Sequence, residues 1–163
     1  TICAMIQVSF INALNYPLHY LNITVVLTLF ITIMMGHFWG FFWAFTLGFF
    51  IEFYSPNFPG VYVVSLLFIV LLIYLLSIKM LTNKSLNSLL ILQLIGIIFF
   101  NVLQVFLNLL LFFIRIFPEF SMPYWNWLFG VLWAVVLGII FAMILYIILD
   151  LTTNRLKTHV IYK

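Results

Sequence analysis

Residues 18–54 read LHYLNITVVLTLFITIMMGHFWGFFWAFTLGFFIEFY, with Glu52 as the one formally charged side chain. A helix that crosses a bilayer needs about 20 apolar residues. The stretch is nearly twice that, so it holds two helices, meeting at Gly36-His37. It is continuously apolar, whereas the strands of a membrane barrel alternate over short runs. Working outward, further breaks occur at Asn15-Tyr16-Pro17, at 54–60 (YSPNFPG), from Lys79 to Ser85, from Arg115 to Tyr124, and after Asp150. They leave apolar segments at 1–14, 18–35, 37–54, 61–78, 86–114 and 125–149. The expected fold is an all-α membrane protein, a single polytopic domain built as a bundle of six transmembrane helices.

Composition points the same way. Of 163 residues, 67% are hydrophobic and 6% charged, and mean hydropathy is +1.34. Soluble domains carry about a quarter charged residues, and nine charges cannot cover a 19.2 kDa globule in water. The net charge of +3 comes from six cations spread over the chain, without the basic stripe that nucleic acid requires. Cys3 is the only cysteine, which excludes an internal disulfide and a cysteine metal site. The chain starts at Thr1 with no basic stretch before its first apolar run, so that run reads as a clipped first helix rather than a signal peptide.

Six crossings place Lys79, Lys84, Arg155, Lys157 and Lys163 on one side and Arg115 alone on the other. The excess of Lys and Arg on cytoplasmic loops then puts both termini in the cytoplasm. Prolines 17, 56, 59, 118 and 123 all fall in outer loops, and Tyr124-Trp125-Trp127 opens the last segment as an interfacial aromatic belt does.

Two segments carry small residues every fourth position: Gly36, Gly40, Ala44, Gly48 and then Glu52, and Gly130, Ala134, Gly138, Ala142. Small residues at this spacing let helix backbones approach closely, which matters where apolar burial no longer drives association. Each four-residue step overshoots a turn by about 40°, so Gly40-Ala44-Gly48 and Gly130-Ala134-Gly138 are the expected contacts, within the bundle or with a partner. Segment 86–114 carries Gln93, Asn101, Gln104 and Asn108 and is followed by Arg115. At about 100° per residue these positions span roughly 80°, one polar face. That face suits interhelical hydrogen bonds or the lining of a small polar cavity. The segment is long for one crossing and must tilt, protrude or bend near Gly96.

The ionisable groups do not assemble into chemistry. Glu52 and Asp150 end segments on opposite sides, a membrane thickness apart, and cannot act as paired carboxylates. Glu119 lies four residues beyond Arg115 in the same loop. His19, His37 and His159 sit at segment ends without ligand spacing, and no nucleophile, phosphate or zinc motif appears. No catalytic residue, metal site or cofactor is expected.

The run Gly40-Phe-Phe-Trp-Ala-Phe-Thr-Leu-Gly48-Phe-Phe-Ile-Glu52-Phe-Tyr-Ser-Pro-Asn-Phe-Pro59-Gly60 resembles the signature of the MreD family, rod shape-determining membrane proteins of bacteria. There a Gly-rich helix ends in Gly, three apolar residues and an acid, followed by a Ser/Pro turn and a Gly opening the next helix. Gln7-Val-Ser-Phe10, Thr82-Asn-Lys-Ser85 and Phe100-Asn101 extend the resemblance over most of the chain. The acid here is Glu where the family usually has Asp, and the N-terminus is incomplete.

The resemblance implies a non-enzymatic component of the cell-elongation machinery in the bacterial cytoplasmic membrane. Its partners would be lipid and MreC, and through MreC the RodA glycosyltransferase, a class B penicillin-binding protein and MreB. It also implies a bundle similar to the substrate-binding subunits of energy-coupling-factor transporters. That similarity supplies a second reading, a small-molecule-binding transporter subunit. A proton-conducting subunit of a respiratory complex fits the composition but lacks a midplane Lys/Glu relay.

Overall fold

A computed structural model describes residues 5–11, 13–54, 60–80, 86–113 and 124–160. They are helical and connecting segments, with no strand among the described residues. A π-helical turn, Gln7–Ile11, and a 3-10 turn, Leu18–Tyr20, precede five α-helices. These are α1 (Ile23–Met35), α2 (His37–Glu52), α3 (Val61–Met80), α4 (Leu86–Phe113) and α5 (Tyr124–Val160).

α1 is the axis of the bundle. It packs against all four other helices, and α2, α3, α4 and α5 follow around it, each packed on the next. Eight of its thirteen residues are buried, including Thr24, Thr28 and Thr32 on one stripe. A hydroxyl costs free energy in an apolar interior unless it finds an acceptor. Thr28 and Thr32 donate to the carbonyls of Thr24 and Thr28, both at 2.7 Å. Short hydroxylated side chains let four neighbours crowd around one helix while Val25, Val26, Leu29 and Ile33 fill the spaces between them.

The start of α1 is tied down by side chains. Gln7 donates to the Leu21 carbonyl (3.0 Å) and accepts from the Ile23 amide (2.8 Å). Asn22 caps the helix by accepting from the Val25 amide (3.4 Å), and also accepts from the Tyr62 hydroxyl (2.9 Å). Free amides of the first turn thereby find partners away from water. At the other end Gly36, with φ +100°, closes α1 and opens α2 in a single residue. Its amide donates to Thr32 and its carbonyl accepts from Gly40. An L side chain rarely adopts that backbone conformation, so glycine is what permits so tight a reversal.

The helix boundaries depart from the apolar segments in informative ways. Segment 18–35 is a 3-10 turn followed by α1, because the Gln7 and Asn22 contacts set the start of the α-helix at Ile23. Segment 1–14 contributes only the Gln7–Ile11 turn among the described residues. α5 runs on to Val160, past the expected end at 149, since apolarity limits a span whereas only a breaker such as Gly or Pro limits a helix. At 1.5 Å per residue α1 and α2 are about 20 and 24 Å long, shorter than a hydrocarbon core of roughly 30 Å. α4 and α5 are each long and apolar enough to cross a membrane, over Asn87–Leu111 and Trp127–Leu151. α5 is peripheral, with 11% of its apolar stretch buried against 33% for α4.

Candidate functional site

The motif residues of α2 form one connected corner with α3. The two helices run antiparallel, with His37 of α2 against Tyr74 of α3 at 4.3 Å and Glu52 beside the start of α3. The Glu52 carboxylate accepts from the Val63 amide at 2.9 Å, inside the first turn of α3, where amides lack intrahelical partners and the helix dipole favours an anion. Gly60, at φ +101°, turns the chain into α3, and nothing lies within 4 Å of where its Cβ would be. Gly60 therefore serves the turn and is not a packing contact, contrary to its place among the expected ones. An Arg115 pairing for Glu52 falls outside the described residues.

The small-residue stripe divides between two neighbours. A Cβ on Gly40 would collide with the Thr32 hydroxyl of α1, whereas one on Gly48 would sit 3.1 Å from the Val63 Cα of α3. Gly40-Ala44-Gly48 is thus not one contact. Two four-residue steps rotate the direction by about 80°, enough to pass from one neighbouring helix to the next. Ala44, between them, is fully buried. On α5, Gly130 meets the Tyr20 ring, and Gly138 meets Ile97 of α4 and Val26 of α1. Ala134 is buried between them. These small residues face inside the protein.

What α2 turns outward is aromatic. Phe38, Trp39, Phe42, Phe45, Phe49 and Phe53 are all exposed, with Phe45 stacked on Phe49 and Phe49 edge-on to Phe53.

The polar face of α4 splits by depth. Gln93 is fully buried and donates to the Val26 carbonyl of α1 at 3.2 Å, leaving its Oε1 unpaired. Asn101 donates to its own helix at Ile97 (2.8 Å). Asn101 and Gln104 line a partly open cavity of about 170 Å³ together with Tyr20, Asn22, Phe100 and Trp127. Val25, Val26, Ile97, Gly130, Val131 and Ala134 complete its wall. The Gln104 Nε2 is enclosed and has no hydrogen-bond partner, a loss of about 1–3 kcal/mol for a buried donor. Asn108 is half-buried further along, and Arg115 lies outside the described residues.

Gln7, Asn22, Tyr62 and the Thr24-Thr28-Thr32 stripe organise this end of the bundle without having stood out as sites in the sequence. The threonines had a signal, the same four-residue spacing as the glycines. Among the described residues no three His, Cys, Asp or Glu side chains come together to hold a metal.

Removing the cap on α3 gives a direct test of Glu52. Glu52→Ala should destabilise the isolated protein by about 1 kcal/mol, the usual loss for a helix cap. Glu52→Gln keeps an acceptor for Val63 and should lose only the charge–dipole part, a few tenths of a kcal/mol when exposed. Equal unfolding midpoints for wild type and Glu52→Ala in detergent would remove the capping role.

Compared with known proteins, the chain matches no family model, no curated protein and no solved structure.

Proposed function

We propose that this protein is an MreD-like, non-enzymatic component of the bacterial elongation machinery, a multi-pass protein of the cytoplasmic membrane that acts by binding other membrane proteins. The observation that carries the reading is the corner between α2 and α3. Every distinctive element of the Gly40–Gly60 signature that lies among the described residues has a structural task there: close approach at Gly40 and Gly48, capping at Glu52, reversal at Gly60. The same unit displays the row of six exposed aromatics on α2, which suits lipid and a partner helix alike. MreC is the proposed direct partner, with RodA, a class B penicillin-binding protein and MreB reached through it.

Six crossings with cytoplasmic termini are part of the proposal and rest on the cation distribution. In a protein lacking Cys3, Ser55→Cys should react with an impermeant thiol reagent applied from outside, and Ser85→Cys should not. The reverse pattern overturns the orientation. The functional test is recovery of partners: tagged protein solubilised in mild detergent from a rod-shaped bacterium that encodes it should bring down MreC, and its depletion should round the cells. Recovery of transporter ATPase subunits in place of MreC would favour the small-molecule-binding subunit. That second reading finds some support in the cavity, whose volume of about 170 Å³ is nonetheless below the roughly 300–1,000 Å³ common for ligands of drug or vitamin size.

A further inference from the structure

We propose that the cavity enclosed by the Leu18–Tyr20 turn, α1, α4 and α5 is a binding site for a small neutral molecule with a ring-sized apolar body and one hydrogen-bond acceptor, such as a carbonyl oxygen. The site goes beyond the partner-binding role and does not depend on it.

Size sets the first limit. The cavity measures about 170 Å³, and an engineered apolar cavity of about 150 Å³ in another protein takes up benzene. One six-membered ring with a short substituent therefore fits. Wall chemistry sets the second. Tyr20, Phe100 and Trp127 present aromatic surface, while Asn22, Asn101 and Gln104 bring three amides to the same space. No charged side chain is among the residues that line it, so an ionised ligand would leave water without a counterion.

Hydrogen bonding sets the third limit and decides the ligand's polarity. The Asn22 carbonyl oxygen already serves Val25 and Tyr62, and the Asn101 amide nitrogen already serves Ile97. Gln104 differs, because its Nε2 is enclosed and unpaired. The terminal torsion of a glutamine is broad, so a small rotation brings this donor onto an acceptor held in the cavity. A purely apolar guest, an acyl chain included, leaves the donor unpaired.

The probes are benzamide, toluene and benzoate, read by saturation-transfer NMR on the full chain in lipid nanodiscs, with empty nanodiscs as the blank. Benzamide should give a protein-dependent signal, toluene a weaker one and benzoate none. Val131→Trp, which fills the space, should abolish the benzamide signal. Gln104→Leu keeps the side-chain size and removes the donor. It should lower benzamide affinity about five- to tenfold, the share of one hydrogen bond, and leave toluene unchanged. Circular dichroism and the unfolding midpoint establish that each variant is folded. Should Val131→Trp fail to fold, the Gln104→Leu comparison decides alone. Benzamide signal no greater than the blank overturns the proposal and leaves a cavity filled by water. Equal response to toluene and benzamide, unaltered by Gln104→Leu, overturns it in favour of an apolar or lipid-tail pocket.

Discussion

Leu29→Ala is expected to be the most damaging truncation in the bundle. Leu29 is fully buried on the central helix, and its methyl groups reach the α4 backbone at Gly96, where a Cβ would lie 2.6 Å from Cδ1 and 2.9 Å from Cδ2. Leucine-to-alanine changes in well-packed cores lose about 2–5 kcal/mol through lost transfer energy and the void left behind. In surroundings as apolar as the core the transfer part falls away and dispersion remains, so about 2 kcal/mol is expected. Gly96→Ala alone should also destabilise, by overpacking the same contact. The two together should lose less than the sum, because the leucine methyls that the new Cβ would strike are gone. Thermal unfolding of the four proteins in one detergent measures the coupling. Strict additivity would mean that Gly96 and Leu29 do not meet.

Gly40→Leu should disrupt the hairpin of α1 and α2 by about 1–3 kcal/mol, the usual range for overpacking. Even the Cβ of an alanine at position 40 would overlap the Thr32 hydroxyl and stand 2.9 Å from the Thr32 Cβ. Thr32 has little freedom to yield, since it is buried, β-branched and bonded to the Thr28 carbonyl at 2.7 Å. The two helices reverse through Gly36 alone, which leaves no slack in the connection. Thr32→Ala, which removes the hydroxyl and one methyl, should partly restore Gly40→Ala. A lower folded yield and unfolding midpoint for Gly40→Leu, with recovery in that double variant, is the expected pattern. An unchanged midpoint for Gly40→Ala would show that α1 and α2 stand further apart at this level.

Helical structure, the positions of the chain reversals and the existence of close helix contacts were legible residue by residue. Gly36 and Gly60 marked turns and take positive φ. Gly40, Gly48, Gly130 and Gly138 marked close approach and meet neighbouring helices. Gln93, Asn101 and Gln104 shared one computed face, and the structure sets them against α1 and the cavity. These readings were available because small and polar side chains behave differently inside an apolar bundle and on its surface. Glu52 was visible as the acid ending a segment, but its partner was not, because the Val63 amide belongs to the next helix and carries no side-chain signal.

Only the tertiary structure decided which helix is central, how the small-residue stripe is shared and where the cavity lies. Hydropathy distinguishes inside from outside in water, but not where the surroundings are as apolar as the core. Phe42 and Phe45 on α2 are exposed while Phe30 on α1 is buried, and their chemistry alone does not separate them. Sequence determined the helical architecture and its close-approach and polar positions through backbone geometry and hydrogen bonding, which are local. The choice of α1 as axis, and the orphaned Gln104 beside a ring-sized space, arise from packing among four helices and two turns, and packing is settled only when all of them are in place.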